Sequence, residues 1–218
     1  MVTSEYCRAM ARYNAWMNSR LYALCATLPE EDLSADRGAF YGSVYATLNH
    51  IAYSDPAFLA RFTGDPPIVP ELGVDLYGGF AALRGERESL DARLIAWAAT
   101  LTPEWLVETL TYTSKVDGAA RTRPRWLLVA HLFNHQTHHR GQVTTLLTQL
   151  GHDMGSTDLP FMPGPLTAAQ LSLRSDGKRM TSRMLGESVS SITRRSMPTP
   201  QPPVGGMPIS RARMKSAS

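Results

Sequence analysis

Histidines are the residues of this 218-residue chain with the clearest capacity for chemistry. Four of the six fall in HLFNHQTHHRGQ, residues 131–142. His135 and His139 are four residues apart, so on a helix they lie one turn from each other and point the same way. His50, in a separate apolar segment, offers a third imidazole. Three neutral imidazoles suit Zn²⁺ or a similar divalent ion and leave coordination positions open for water or substrate.

A helical wheel divides the clustered histidines into two pairs. His139 lies at the centre of the apolar stripe formed by the leucines of this segment, and His135 lies at its edge. His131 and His138 lie on the flank that also carries Gln142. We therefore interpret the first pair as metal ligands. The flanking residues are interpreted as orienting groups, or as the rim of a pocket.

Each of these residues also has a purely structural interpretation. A single histidine on an apolar face is usually a hydrogen-bonded core residue, and this fits His50 taken alone. The pair His135 and His139 favours a metal, because two imidazoles in one apolar stripe carry a desolvation cost that coordination offsets. Arg140 has two interpretations: an anchor for an anionic ligand, or a partner in a helix-surface or interhelical salt bridge.

Several classes of active site are excluded by their missing motifs. The sequence has no HExxH helix and no carboxylate pair on the histidine face, which argues against a zinc protease and against a di-iron bundle. It also has no phosphate-binding glycine-rich loop, no GxSxG elbow and no Walker motif.

Four amphipathic segments must position the histidines. Apolar residues recur at spacings of three and four in each of them, which predicts helices over about residues 4–27, 43–64, 78–100 and 124–150. Ser43 is the expected N-cap of the second helix and Gly64 its end. Four such helices with one long crossover predict an all-α fold, a four-helix bundle with sites built from inward-facing side chains.

The connections carry further predictions. Pro56 removes an amide inside the second helix, which predicts a kink or a restart capped by Ser54 or Asp55. Residues 65–77 are expected to be an extended connection. Residues 106–123 alternate in polarity and predict a small hairpin or irregular excursion before the last helix.

Charge divides the chain into a domain, 1–168, and a tail, 169–218. Residues 1–170 carry a net charge of −4 and residues 171–218 a net charge of +7, which together give the +3 of the whole chain. The tail is basic, rich in Ser, Pro and Arg, and without aromatic residues, so it is expected to be mostly disordered. Because the basic character belongs to the tail alone, a nucleic-acid partner is not expected.

Cysteine content and hydropathy bear on location. Cys7 and Cys25 lie about 27 Å apart if both are on the first helix, so they are expected to be buried free thiols in a reducing compartment. No segment has the length of a transmembrane helix, and the first residues lack the pattern of a secretory signal. These features predict a cytoplasmic protein without a membrane partner.

The segments YNAWMNSRLY, LNHIAYSDPAFLARFTGDPP and NHQTHHRGQVTTLLTQLG, followed by DMGSTDLPFMPG, together resemble the DinB-like family of metal-binding proteins over about residues 5–165. The resemblance implies an up-down-down-up bundle that forms a homodimer. It also implies a divalent metal held by a histidine of the second helix and an HxxxH pair of the last helix, which match His50, His135 and His139. The sequence departs from the family pattern at Pro56 and Phe58, near the expected pocket.

Three functions are compatible with these features. The first function is that of a metal-dependent enzyme that activates a small thiol for S-transfer or isomerisation on an electrophilic small-molecule substrate. The resemblance implies it, because related members use a low-molecular-weight thiol such as mycothiol or bacillithiol. The second is a metal-dependent hydrolase, for which the sequence offers no obvious general base. The third is a non-catalytic, stress-related metal-binding protein. Zinc is the first choice of metal, with nickel, manganese and iron as alternatives.

Overall fold

Helices dominate the part of the chain that the structure, a computed structural model, describes: residues 2–65, 74–114 and 117–164. The elements are α1 Ser4–Cys25, α2 Glu30–Ser34, α3 Val44–Thr63, α4 Phe80–Thr100, α5 Pro103–Val107, β1 Thr109–Thr113, β2 Ala120–Pro124 and α6 Arg125–Gln149, followed by a 3₁₀ turn, Leu159–Phe161. The tail predicted for residues 169–218, and most of the extended connection predicted for residues 65–77, lie outside the described residues.

The four predicted long helices are present as α1, α3, α4 and α6. The N-cap predicted at Ser43 is confirmed, since its hydroxyl oxygen accepts a hydrogen bond of 3.0 Å from the amide of Ala46. Gly64 ends α3 in the left-handed region, with φ of +80°, a conformation that costs glycine little. Local end signals thus define the helix that carries His50.

Of the two expectations for Pro56, the restart of the second helix is wrong, and the kink stays a prediction. Helix α3 continues through the proline, and neither proposed cap acts as one. The Ser54 hydroxyl donates to the carbonyl of His50 at 2.9 Å. The Asp55 carboxylate accepts a hydrogen bond of 2.5 Å from Arg87 on α4. The tertiary partner of Asp55 holds the side chain away from the helix backbone, so α3 is one element.

Small elements complete the fold and correct the all-α prediction. Strands β1 and β2 form an antiparallel hairpin, with Tyr112 opposite Arg121, so of the two expectations for residues 106–123 the hairpin is observed. The short helices α2 and α5 were not predicted. Pro29 is the N-cap of α2, and three acidic residues occupy the first turn of this helix.

The long helices pack in pairs, with α1 and α3 each contacting both α4 and α6. Two apolar clusters fill the space between them. One contains Met10, Met17, Leu94 and Phe133, and the other contains Leu21, Leu48, Leu90 and Leu147. Both belong to the compact unit Met1–Gly164. Burial of these side chains is the main force that holds the helices together.

A buried polar layer lies between the two apolar clusters. It takes residues from all four long helices: Asn14, Asn18, Asp55, Arg87, Asp91, Gln136 and Arg140. Arg87 bonds Asp55 and lies 2.9 Å from Asp91, which accepts a further bond of 2.9 Å from Asn18. Burial opposes the charge of Arg87, but the two carboxylates raise its pKa above the ordinary value. The layer pairs opposite charges and fixes the four helices to one another.

The cysteine prediction is confirmed, because Cys7 and Cys25 are both free and buried. Burial raises the pKa of the Cys7 thiol to about 11 and that of the Cys25 thiol to about 12. Both side chains therefore behave as small apolar core residues. Over the described ranges, no helix combines the length and the apolar character needed to cross a membrane.

Candidate metal centre

The packing of α3 against α6 brings together the three histidines that the sequence predicted as ligands. The Nε2 atom of His50 lies 3.1 Å from Nε2 of His135, and Nε2 of His139 lies 3.1 Å from the same atom. One nitrogen from each ring lies within 4.8 Å of the others. We call this set the imidazole cluster. Its geometry matches the helical-wheel interpretation of α6 and adds the residue from α3.

Hydrogen bonding alone does not account for the imidazole cluster. A ring nitrogen carries either one hydrogen or one lone pair, so Nε2 of His135 cannot form a good hydrogen bond with both neighbours at once. Two nitrogens bound to one tetrahedral Zn²⁺ at about 2.0–2.1 Å are about 3.3–3.4 Å apart. The observed separations of 3.1 Å are close to that value. The three nitrogens are therefore arranged to fit one shared cation.

The charge state of the rings also suits a cation. Burial, with a contribution from neighbouring histidines, lowers the pKa of His135 to about 3 and that of His50 to about 4. Burial lowers the pKa of His139 as well. All three rings are therefore neutral at pH 7, the form in which an imidazole nitrogen can donate its lone pair to a metal.

Gln142 orients one ring of the cluster. Its Oε1 atom lies 2.7 Å from Nδ1 of His139, so the amide oxygen can accept the Nδ1 hydrogen and leave Nε2 directed at the cluster. This places Gln142 where the sequence predicted an orienting group. The Nδ1 atom of His135 is buried and has no hydrogen-bond partner among the described residues.

Tyr41 is part of the site and was missed by the sequence analysis. Its hydroxyl lies 2.9 Å from Nε2 of His50, and its ring stacks on that imidazole with centroids 4.1 Å apart. Burial raises the pKa of Tyr41, so the phenol stays protonated. The residue lies in the turn before α3, where Gly42 adopts a φ of +80°. A hydrophobic residue just before a helix cap was the available signal, and it does not indicate contact with a histidine.

The imidazole cluster lies in the wall of a pocket of about 360 Å³. The lining comes from α3, α6, the turn before α3, and strand β1 with the residue that follows it. It consists of Tyr41, His50, Tyr53, Ser54, Ala57, Phe58, Arg61, Tyr112, Ser114, His131, His135 and His139. Phe58 packs edge-on against two imidazoles, with its centroid 5.3 Å from that of His131 and 5.6 Å from that of His135. The cluster therefore faces a space large enough for a small ligand.

The flanking residues of α6 are divided by the structure. His131 lines the pocket, as one of its two predicted roles required. His138 is exposed and outside the lining, although its ring centroid is 4.8 Å from that of His139. The prediction that Arg140 anchors a ligand at the site is corrected, because this residue is 3% exposed and donates to Asn14 and, at 3.2 Å, to Gln136. Arg140 joins α6 to α1 through the hydrogen bond to Asn14, whereas the salt bridge that was its second predicted role is absent among the described residues.

Comparison with known proteins agrees with the geometry. The model of the DinB family matches residues 1–167. A curated protein named Protein DinB, from Bacillus subtilis (strain 168), is 24% identical over 168 residues, which cover 71% of this chain and 92% of that protein. The matched region contains every residue of the imidazole cluster and of the pocket lining.

Proposed function

The chain belongs to the DinB family, and from this premise we propose that His50, His135 and His139 bind a divalent metal ion. The observation that carries the proposal is the approach of three neutral Nε2 atoms, with two separations of 3.1 Å. Three imidazoles favour zinc, and nickel, manganese or iron are the alternatives. Buried carboxylates of the polar layer are engaged elsewhere, so the ligand set among the described residues is nitrogen only.

We further propose that the site is catalytic and activates a low-molecular-weight thiol for S-transfer or isomerisation on a small electrophile. A structural metal site is usually closed, whereas the imidazole cluster lines a pocket of about 360 Å³. When bound, a divalent ion supplies the Lewis acidity that lowers the pKa of a coordinated thiol. Gln142 orients the ring of His139, and the protonated Tyr41 hydroxyl is a hydrogen-bond donor beside the cluster.

The lining favours a thiol over hydrolysis. Among the described residues, no Asp or Glu lines the pocket, so a carboxylate general base is lacking there. The raised pKa of Tyr41 keeps its hydroxyl a donor rather than a base. Burial lowers the pKa of His131, the remaining imidazole of the lining, which weakens it as a base. A thiol coordinated to zinc is deprotonated outright, whereas coordinated water keeps a pKa of about 7, so a thiol needs a base less than water does.

Metal analysis tests the site. We expect purified wild-type protein to contain about one equivalent of metal and His139→Ala to contain little, since the variant removes one of three ligands. His138→Ala is the matched control, because it removes an exposed imidazole next to the site. Equal metal content in wild type and His139→Ala would exclude the assignment.

Thiol titration tests the reaction class. Isothermal titration of zinc-loaded protein with mycothiol and with bacillithiol should show binding that is absent after zinc removal. A zinc-loaded protein that binds neither thiol would refute the proposed activity while leaving the metal site intact.

The resemblance supports four broader proposals. The pairwise contacts of α1 and α3 with α4 and α6 are those of a closed ring of four helices, which supports the up-down-down-up four-helix bundle. A homodimer, a cytoplasmic location and a domain spanning residues 1–168 are the others. Size-exclusion chromatography with light scattering tests the dimer.

A further inference from the structure

Arg61 is a cation in the pocket wall that has no polar partner among the residues that the structure describes. Its guanidinium carbon lies 4.3 Å from the ring centroid of Tyr112 and 5.4 Å from that of Phe58. Within the described ranges, Arg61 has neither a hydrogen bond nor a carboxylate at ion-pair distance. Other arginines that are partly or fully buried have polar partners: Arg37 and Arg87 bond carboxylates, and Arg140 donates to an amide oxygen of Asn14. Two aromatic faces hold the Arg61 guanidinium in place and leave its N–H donors free.

This arrangement carries a cost that a ligand would offset. Burial lowers the pKa of the Arg61 guanidinium, so its charge is incompletely solvated. The described lining contains no acidic residue to neutralise it. A guanidinium offers five donors in a planar fork that matches the two oxygens of a carboxylate. The missing partner is therefore an anion that enters the pocket.

Distances place Arg61 and the imidazole cluster within the reach of one small molecule. The guanidinium carbon of Arg61 lies 5.4 Å from the ring centroid of Phe58, and the ring centroid of His135 lies 5.6 Å from the same point. The guanidinium carbon and the His135 ring are therefore at most about 11 Å apart. A short chain with a carboxylate at one end and a metal-binding group at the other fits this range.

We propose that Arg61 binds the carboxylate of a small anionic ligand whose other end lies at the imidazole cluster. The proposal rests on the proposed function for the second contact, where a thiol would bind. It assigns the pocket a substrate class: small thiols or electrophiles that carry a carboxylate. Tyr112 and Phe58 position the guanidinium by stacking, and the hairpin that contains Tyr112 therefore contributes to ligand binding.

Paired ligands test the charge requirement. Isothermal titration of zinc-loaded full-length protein compares 3-mercaptopropionate with 3-mercaptopropan-1-ol, which has the same thiol and chain length but no charge. We expect the acid to bind wild type about tenfold more tightly, since a hydrogen-bonded ion pair contributes on that order. Arg61→Met keeps the length and apolar stem of the side chain, and should reduce this ratio to about one. Arg61→Lys should retain an intermediate ratio.

Controls separate the role of Arg61 from a general loss of charge or fold. Arg12→Met removes an exposed positive charge on α1 and should keep the tenfold ratio. Equal zinc content and equal thermal unfolding midpoints for Arg61→Lys and wild type show that the fold is unchanged. A preference for the acid that persists in Arg61→Met overturns the proposal, and assigns Arg61 to stacking alone.

A second pair of ligands distinguishes this failure from failure of the proposed function. If zinc-loaded wild type binds neither thiol, the thiol activity is excluded. The comparison then uses 3-phenylpropionate and 3-phenylpropan-1-ol, which need no metal–sulfur bond. Tighter binding of the acid to wild type, lost in Arg61→Met, supports a carboxylate site at Arg61. Equal binding of acid and alcohol to wild type overturns it.

Discussion

Two polar regions lie side by side along α6, and they are built on opposite rules. In the polar layer donors and cations face acceptors and carboxylates, as where Arg87 bonds Asp55 and Asp91 accepts from Asn18. The imidazole cluster instead brings together three groups of the same kind, the Nε2 atoms of its histidines. Complementary groups satisfy each other and stabilise a fold, whereas converging groups of one kind need something from outside the chain. This difference supports a structural role for the polar layer and the proposed metal-binding role for the imidazole cluster.

The largest expected effect is on the polar layer. Arg87→Met leaves two buried carboxylates without their cation and should lower the free energy of unfolding by about 3–5 kcal/mol. Arg84→Met, one turn earlier on α4, removes an exposed pair with Glu88 and should cost less than about 1 kcal/mol. Urea denaturation followed by circular dichroism measures both. Similar losses in the two variants would show that the layer does not stabilise the fold.

The next effect is on metal affinity. Gln142→Ala removes the acceptor that orients His139 and should weaken zinc binding about 10- to 100-fold, without changing the helical content. Gln142→Glu keeps an acceptor oxygen and should recover much of the affinity. Gln149→Ala, at an exposed position of the same helix, is the control. Competition with a fluorescent zinc chelator gives the constants, and wild-type affinity in Gln142→Ala would remove this residue from the site.

Metal removal tests directly whether the polar layer holds the fold while the imidazole cluster binds the ion. If the polar layer and the apolar clusters hold the fold, the chelated protein should keep its helical signal at 222 nm and unfold cooperatively. Its unfolding temperature should fall only as far as the lost binding free energy of the ion requires. Loss of the helical signal on chelation would make the imidazole cluster a structural site, and the comparison above would fail.

The smallest effect concerns Tyr41. Tyr41→Phe keeps the stacked ring but removes the hydroxyl 2.9 Å from Nε2 of His50. We expect the metal-free variant to lose about 0.5–1.5 kcal/mol in free energy of unfolding. In the zinc-loaded protein this difference should shrink, because Nε2 is then committed to the metal. An equal loss with and without zinc would show that Nε2 of His50 is not a ligand.

The features that the sequence predicted well are those encoded locally. Periodicity located the four long helices, the cap at Ser43 was read from its residue type, and spacing on α6 paired His135 with His139. His50 was placed with them from its residue type and the family resemblance, and the structure brings it to the same point. Local patterns work here because a helix converts sequence spacing into a defined face.

The features that were missed depend on contacts between distant segments. Tyr41, Arg61 and Tyr112 reach the pocket only through the fold, and nothing in their neighbourhoods indicates a histidine cluster. The restart expected at Pro56 does not occur, and Asp55, one of its two proposed caps, instead bonds Arg87, 32 residues away. Helix α2 could have been predicted from the sequence, because a proline followed by Glu30, Glu31 and Asp32 is a favourable helix start.

Helix α6 places the two regions on consecutive residues: His135 precedes Gln136, and His139 precedes Arg140. Gln136 reaches Asp55 and Arg140 reaches Asn14 at only one rotation of the helix about its axis. That rotation is the one at which both imidazoles face α3. The polar layer therefore fixes the rotation of α6, and with it the direction in which the neighbouring histidines face. A designer who shifts the histidines along α6 by one position, turning them by about 100°, must shift these anchoring side chains as well.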